Sequence, residues 1–317
     1  METRKIISFG SSSYVVSVPK SWIEGNKLKK GDILTLEEKQ GELLLYPGQN
    51  DRKKEPKHIR IAIDDKDIGL VTTEIVSAYL NGYDTIEITG SIEKNAPEIK
   101  AALRNLSGLE IIQQDATKIV AQDLLNIEEI SIITLIRRAD NIVRSMLIDS
   151  VKSIYHDHYN EIAERDLDVN RLVYLAYRVI RAAMMDPRLA KKLGKSSFEL
   201  MTDWIIMSKL EKVGDKSKRV ARYLAKANLR NEDEKKKLEK IHEEIKQAYF
   251  DAMTAYYKKD MRKALEIENT HLKRINKCND FVKERQNAYT HMIIEQLKSL
   301  SASVRYIARG LLGIGVE

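Results

Sequence analysis

Residues 16–36 read VSVPKSWIEGNKLKKGDILTL, and this stretch sets the fold class expected for the start of the chain. The β-branched run before Pro19 predicts a strand, because proline cannot continue a ladder of strand hydrogen bonds. A turn signal at residues 29–32 precedes a second apolar run, and one short helix is predicted between the two strands. With a further strand at residues 43–46, residues 1–48 are predicted to be a small β module.

This β module is too small to be stable by itself. It has fewer than fifty residues, and the single cysteine of the chain, Cys278, lies elsewhere, so no disulfide can brace it. Modules of this size bury too little apolar surface unless a disulfide, a metal or a partner chain completes them. We therefore predict that residues 1–48 close their core by forming a homodimer.

The β module resembles the SpoVT/AbrB family of swapped-hairpin β-barrels. The matching residues are Ile6, Gly10, Val16-Ser17-Val18-Pro19-Lys20, Leu28-Lys29-Lys30-Gly31-Asp32-Ile33-Leu34 and Leu43-Leu44-Leu45. The resemblance implies an intertwined homodimer that usually binds DNA. The residues expected to contact promoter DNA are Arg4, Lys5, Ser12, Ser13, Lys20, Lys29 and Lys30. A domain that dimerises without contacting DNA is the alternative.

A charged linker at residues 49–57 leads into a small α/β module at residues 58–125. Apolar spacing in this module predicts the element order βαβαββ. We expect a ferredoxin-like or ACT-like fold, a kind that often holds regulatory ligands. No glycine-rich phosphate loop is present in this segment of the sequence, so a structural spacer is the favoured interpretation.

The rest of the chain is predicted to be helical. From residue 109 to residue 309 the glycines and prolines are Gly194, Gly214 and Pro187. Both residue types are costly inside helices. Six apolar stripes at helical spacing fall into two sets of three, at residues 128–228 and 232–313. This pattern predicts two three-helix bundles side by side, related as an internal repeat.

The third stripe of the first set contains an acidic pair. Glu211 and Asp215 are four residues apart and face the same side of a helix. Residues 210–221 resemble the L-E-R-I-G-D signature of PhoU proteins, a resemblance that spans about residues 128–312. In that family such pairs bind metal clusters, so the resemblance implies a divalent or iron-type metal ion at Glu211 and Asp215, with Asp280 as a further ligand. From spacing alone, a solvated acidic face is the alternative.

Composition limits the classes of function. The formal net charge of +7 favours anionic partners, nucleic acid among them. The sequence contains no apolar run long enough to span a membrane, and its first residues do not resemble a signal peptide, so we expect a cytoplasmic protein that is not embedded in a membrane. No nucleophile elbow, Walker A loop, dinucleotide fingerprint or kinase motif set is present, so we expect no enzyme.

Together these patterns predict a regulator of phosphate uptake. The N-terminal homodimer would contact promoter DNA, and the helical part would receive the phosphate signal from a bound ion or from a partner such as the phosphate transporter ATPase. The first alternative is a protein-binding adaptor of the phosphate transport system that does not bind DNA. The second alternative is a metal-binding helical bundle.

Overall fold

The chain divides into two compact units, residues 1–55 and residues 56–317. The computed structural model describes residues 2–39, 41–48, 56–227, 229–283 and 287–313. Most of the predicted linker at residues 49–57 therefore lies outside the described residues. The two units differ in how they bury their apolar side chains.

The described residues of the N-terminal unit form two antiparallel hairpins and one short helix. Its elements are β1 (Ile7–Phe9), β2 (Ser13–Val15), α1 (Lys20–Gly25), β3 (Leu34–Lys39) and β4 (Glu42–Pro47). Strand β1 pairs with β2, and β3 pairs with β4. The two hairpins belong to separate two-stranded sheets. The order of strand, short helix and strand is the predicted one, whereas the closed barrel stays a prediction that requires a second chain.

The second unit begins with a four-stranded sheet. Its elements are β5 (His58–Ala62), α2 (Ile68–Leu80), β6 (Thr85–Thr89), α3 (Ala96–Arg104), β7 (Leu109–Gln114) and β8 (Lys118–Asp123). The strands lie in the order β5-β6-β8-β7. Strand β5 is parallel to β6, and β8 is antiparallel to both of its neighbours. The element order along the chain is βαβαββ, as predicted.

This sheet corrects the expected likeness to a ferredoxin-like or ACT-like fold. A ferredoxin-like fold has the order βαββαβ, whereas here the last two strands form a hairpin. The hairpin turn is held by Asp115, whose Oδ1 accepts hydrogen bonds from the backbone N (2.9 Å) and the hydroxyl (2.8 Å) of Thr117. A turn this tight leaves no length of chain for a helix between β7 and β8.

Helices α2 and α3 pack against the same alternating set of strand residues. Ile86, Ile88 and Ile119 are completely buried in the strands. Ile75 of α2 and Ile99 of α3 are equally buried, and all five belong to one hydrophobic cluster. Successive strand residues point to opposite faces, so the apolar residues of β6 at every second position place this cluster on one side of the sheet.

Seven helices follow among the described residues of the second unit. They are α4 (Ile132–Lys152), α5 (Tyr159–Met185), α6 (Pro187–Lys192), α7 (Ser197–Ala227), α8 (Glu232–Lys258), α9 (Met261–Val282) and α10 (Ala288–Leu312). Helices α4, α5 and α7 pack together, as do α8, α9 and α10, and the two sets meet where α7 packs on α10 and α4 on α8. The six long helices thus lie in two sets of three. None of the described helices is long and apolar enough to cross a membrane.

Buried hydrogen bonds join the two sets of helices. Asp140 of α4 is 2% exposed, and its carboxylate accepts hydrogen bonds from the hydroxyls of Tyr249 (2.7 Å) and Tyr257 (3.1 Å) of α8. Asp203 of α7 accepts one from the hydroxyl of Tyr256 (2.7 Å). A buried carboxylate is costly unless such donors satisfy it. These bonds therefore fix the position of α8 against α4 and α7.

A buried ion pair joins the sheet to the helices. Arg178 of α5 pairs with Asp123 at the end of β8, and both side chains are 5% exposed. The Arg178 guanidinium also lies 4.7 Å from the centroid of the Tyr79 ring on α2. The Tyr79 hydroxyl donates to the backbone O of Ser107 (2.9 Å). The sheet and the helical bundles therefore share a polar contact that solvent does not reach.

Candidate functional site

The second hairpin of the N-terminal unit exposes apolar side chains. Leu36 pairs with Leu45 across the hairpin, and Leu34 and Leu43 lie on the same face because side chains alternate along a strand. Leu36 is 61% exposed and Leu43 is 56% exposed. None of the described residues of this unit is buried. Within its described residues, the single chain therefore has no core here.

The first hairpin shows the same pattern. Ile7 pairs with Val15, and Phe9 lies on the same face two residues further along β1. The exposed fractions are 60% for Ile7, 68% for Phe9 and 43% for Val15. Exposed apolar faces on both hairpins are typical of a surface that another chain covers.

The residues predicted to contact DNA lie in four exposed segments. Arg4 and Lys5 precede β1, Ser12 and Ser13 lie at the turn into β2, Lys20 begins α1, and Lys29 and Lys30 precede the turn at Gly31. At that turn the carboxylate of Asp32 accepts a hydrogen bond from the backbone N of Lys29 (2.8 Å). The described residues show no hydrogen bond between any two members of this predicted set.

Some members of the predicted set already have partners within the unit. Arg4 Nη2 lies 2.5 Å from the carboxylate of Glu2, and Lys20 Nζ lies 3.5 Å from that of Glu24. The Ser13 hydroxyl donates to the backbone O of Phe9 (2.6 Å). Exposed ion pairs contribute at most about 1 kcal/mol, so a phosphate backbone can compete for Arg4 and Lys20.

The predicted metal ligands Glu211 and Asp215 lie one turn apart on α7. The Asp215 carboxylate is within ion-pair distance of three cations: Arg219 (2.9 Å), Lys216 (3.6 Å) and Lys218 (3.7 Å). Burial raises the pKa of Glu211, and the charges of Asp215 and of Asp166 on α5 raise it further. Asp166 itself is paired with Lys218. Burial and two acidic neighbours thus disfavour the charged form of Glu211, and Asp215 already has cations as partners.

The third predicted ligand, Asp280, is exposed on α9 and pairs with Lys283 (2.6 Å). In the part of the chain that the structure describes, no group of three or more His, Cys, Asp or Glu side chains is arranged to hold a metal ion. Hard cations favour several carboxylate oxygens, whereas lysine and arginine side chains surround Asp215. The described residues therefore do not fit the metal cluster that the PhoU resemblance implies, and a single metal ion at Glu211 and Asp215 stays a prediction.

The N-terminal unit also matches a known family. Residues 7–53 match the family described as antidote-toxin recognition MazE, bacterial antitoxin. These residues form a MazE/AbrB-like domain. Five of the predicted DNA-contacting residues fall inside it, whereas Arg4 and Lys5 precede it. The predicted kind of N-terminal domain is thereby confirmed. No curated protein and no solved structure matches the chain.

The buried pair of Arg178 and Asp123 lies outside the MazE/AbrB-like domain, and sequence patterns did not reveal it. The two residues are far apart in the chain, so no spacing rule connects them. One signal was available, because Arg178 is the single charged residue in the otherwise apolar and aromatic stretch 172–180. A lone charge in such a stretch indicates a buried partner.

Proposed function

We propose that this protein is a dimeric, DNA-binding regulator of phosphate uptake. The observation that carries the proposal is the MazE/AbrB-like domain at residues 7–53, because domains of this kind typically dimerise and bind DNA. The exposed apolar faces of both hairpins support dimerisation. They supply the surface that a second copy would cover, and the described residues offer no core without it.

The DNA contact is proposed to rest on exposed cations of this domain. Lys29 and Lys30 stand together at a turn, and the side chain of Lys20 is 88% exposed. Lysines in such positions bind phosphates and release counterions, which makes the affinity fall as salt rises. The serines of the β1–β2 turn are proposed as additional hydrogen-bonding groups toward the DNA backbone.

The link to phosphate rests on the helical part. Residues 210–221 resemble the PhoU signature, and the arrangement of the six long helices in two sets of three supports the same assignment. We propose that these helices receive the phosphate signal and that the MazE/AbrB-like domain converts it into altered DNA occupancy. The proposed source of the signal is a phosphate transporter ATPase or a similar signalling protein, and the protein is proposed to act without enzymatic chemistry.

The test is a set of binding isotherms on the DNA upstream of the protein's own gene, measured over a range of salt concentrations. Removal of n phosphate contacts reduces the slope of log affinity against log salt by about 0.9n. We expect Lys29→Gln with Lys30→Gln to lower the slope by about two. The matched control is Lys236→Gln with Lys237→Gln, an adjacent exposed pair in the second unit.

Absence of binding at low salt, or an affinity that does not change with salt, would favour the adaptor that does not contact DNA. Genome-wide DNA occupancy at high and low phosphate tests the second half of the proposal. We expect occupancy near genes of phosphate uptake to change with phosphate. DNA binding that is identical in both conditions would leave a DNA-binding protein without the proposed phosphate role.

A further inference from the structure

One edge of the four-stranded sheet is open. Strand β5 pairs with β6 on one side and with no described strand on the other. An unpaired edge presents a row of backbone N–H and C=O groups to which another strand can bind. At the opposite edge, the register of β7 shifts between Ile111 and Gln113, and a β-bulge of this kind blunts an edge. The register of β5 is unbroken and residues 57–63 contain no proline, so β5 is the edge that can accept a further strand.

Hydrogen bonds to β6 show which residues of this segment face away from the sheet. The backbone O of Lys57 accepts a hydrogen bond from the backbone N of Thr85 (3.1 Å), and the backbone N of Ile63 donates to the backbone O of Thr89 (2.9 Å). Successive residues of a strand direct their backbone groups to opposite sides, so the residues that bond to β6 alternate along the segment. The backbone groups that point away from β6 are therefore those of His58, Arg60 and Ala62.

A groove of about 870 Å³ lies beside this edge, on the side of the sheet that carries α2. Its lining includes β5 residues on one wall and Glu74, Ser77 and Asn81 of α2 on the other. Lys66 also lines it and is paired with Glu74 (2.7 Å). The groove gives a further strand access to β5, because none of the described elements fills it.

The segment around β5 is complementary to itself when two copies run antiparallel. Residues 57–65 read KHIRIAIDD, with basic residues at the start, isoleucines at alternate positions in the middle and two aspartates at the end. Lys57, Asp64 and Asp65 are exposed, and none of the ion pairs formed by the described residues includes them. An antiparallel strand of identical sequence places each basic start beside the acidic end of the other copy. Charge complementarity therefore favours a second copy as the occupant of this edge.

One register suits both the backbone and the side chains. With Ile61 opposite Ile61 of the second copy, Ile59 lies opposite Ile63, and Arg60 lies opposite Ala62. Side chains that are opposite each other in an antiparallel pair lie on the same face, so the isoleucines extend the apolar face that α2 and α3 cover. Arg60 then meets a small neutral side chain. Placing Arg60 opposite itself would put like charges side by side, which destabilises a strand pair.

We propose that β5 pairs with β5 of a second copy of this chain, in antiparallel orientation and with Ile61 at the two-fold axis. The pairing joins the two four-stranded sheets into one continuous sheet. At each end Lys57 lies toward Asp65 of the second copy, so contacts between opposite charges flank an apolar centre. The pairing uses only residues of the second unit, and it is therefore independent of the dimer and the DNA binding proposed for the MazE/AbrB-like domain.

Disulfide cross-linking tests the register. Residues paired through hydrogen bonds in an antiparallel ladder have Cα atoms about 5.5 Å apart, a separation that a disulfide can span. Arg60→Cys and Ala62→Cys are made in separate full-length chains with tags of different mass, co-expressed and oxidised. We expect a cross-linked product that contains one chain of each kind, because Arg60 lies opposite Ala62. Each variant expressed alone is the matched control and should give little product, and the native Cys278 is buried.

The cross-linking result can contradict the pairing in two ways. Absence of product from the mixed chains would overturn it and leave the edge to another partner. Product that forms equally well from Arg60→Cys alone would overturn the register, because it would place Arg60 opposite itself.

Sedimentation velocity tests the backbone contact. The full chain carries Leu36→Ala in all samples, so that association through the N-terminal unit is weakened. Ala62→Pro removes an N–H that faces the second copy and leaves the hydrogen bonds to β6 in place. We expect it to weaken the remaining self-association at least tenfold. Ala62→Val keeps the N–H and should leave the association nearly unchanged, whereas equal association in the proline and valine variants would contradict strand pairing.

A charge exchange provides the second variant if Ala62→Pro does not fold, as judged by far-ultraviolet circular dichroism. Lys57→Glu places an acidic side chain toward Asp65 of the second copy and should weaken self-association. Adding Asp65→Lys restores opposite charges and should recover it. Failure of the double variant to associate more tightly than Lys57→Glu would show that these two positions do not face each other.

Discussion

The two units of the chain bury apolar surface in different ways. In the N-terminal unit Leu36 is 61% exposed, and no described residue is buried. In the second unit Ile75, Ile86 and Leu210 are completely buried. The described residues of the N-terminal unit therefore form no core within one chain, whereas those of the second unit do. The second unit should thus fold without a second copy.

Charged groups follow the same division. The ion pairs of Arg4 and Lys20 in the N-terminal unit are exposed, so each contributes little to the free energy of unfolding. In the second unit Arg178 and Asp123 are paired away from solvent. Removal of one partner from a buried pair leaves an uncompensated charge. Single substitutions at this pair are therefore expected to lower the free energy of unfolding most.

The largest effect is expected for Arg178→Met. It leaves Asp123 buried without its cation and should lower the free energy of unfolding of the second unit by about 3–5 kcal/mol. Urea denaturation provides the measurement. Arg181→Met, at an exposed position on the same helix, is the control. Adding Asp123→Leu to Arg178→Met should recover most of the loss, and a double variant as unstable as the single one would argue against an ion-pair origin.

Leu36→Ala probes the proposed dimer of the N-terminal unit. Burial of a leucine side chain contributes about 1.5–3 kcal/mol to stability. Each copy in a dimer would lose part of this free energy, so the dimer dissociation constant should rise at least tenfold. Sedimentation velocity over a range of concentrations measures this constant. Thr35→Ala, on the opposite face of β3, should leave it nearly unchanged. The urea midpoint of the second unit should not move. If that midpoint falls with Leu36→Ala, the two units are not independent in stability.

His242 makes the second unit sensitive to acid. It is 1% exposed, neither ring nitrogen has a hydrogen-bond partner among the described residues, and burial lowers its pKa to about 3. Its pKa is higher in the unfolded chain, so the unfolded state binds the proton more readily and stability is lost as pH falls from about 6.5 toward 3. Between pH 7.5 and pH 5 the loss should be about 2 kcal/mol.

Urea denaturation at these two pH values measures the loss. His242→Leu should remove this part of the pH dependence, because the variant has no buried imidazole to protonate. His156→Leu, at an exposed position, should keep it. Equal pH dependence in the unaltered chain and in His242→Leu would show that other groups determine the acid response.

The smallest effect is expected at the start of α8. The Asn231 side chain accepts hydrogen bonds from the backbone N of Asp233 (2.9 Å) and of Glu234 (3.2 Å). Loss of such an N-cap costs about 1 kcal/mol, so Asn231→Ala should lower the thermal midpoint of the second unit slightly. Asn231→Asp retains the acceptor and should remain close to the original value. A larger drop for the aspartate than for the alanine would contradict a capping role.

Local sequence patterns were sufficient to predict the helices and strands and the kind of N-terminal domain. Apolar stripes at helical spacing gave the six long helices, because the periodicity of a helix depends on residues only three or four apart. The V-P-K and L-K-K-G-D stretches indicated the β module in the same local way, and the match at residues 7–53 agrees with them. Glu211 and Asp215 were likewise correctly placed on one helix face.

Tertiary structure alone decided which distant residues meet. The buried pair of Arg178 and Asp123 joins positions that no periodicity relates, and so do the hydrogen bonds from Tyr249 and Tyr257 to Asp140. A sequence pattern shows which face of an element is apolar, but not which other element covers it. The charge that a site finally presents depends on those neighbours. The sequence indicated an acidic pair at Glu211 and Asp215, whereas the folded chain adds Asp166 of α5, itself paired with Lys218, beside Glu211.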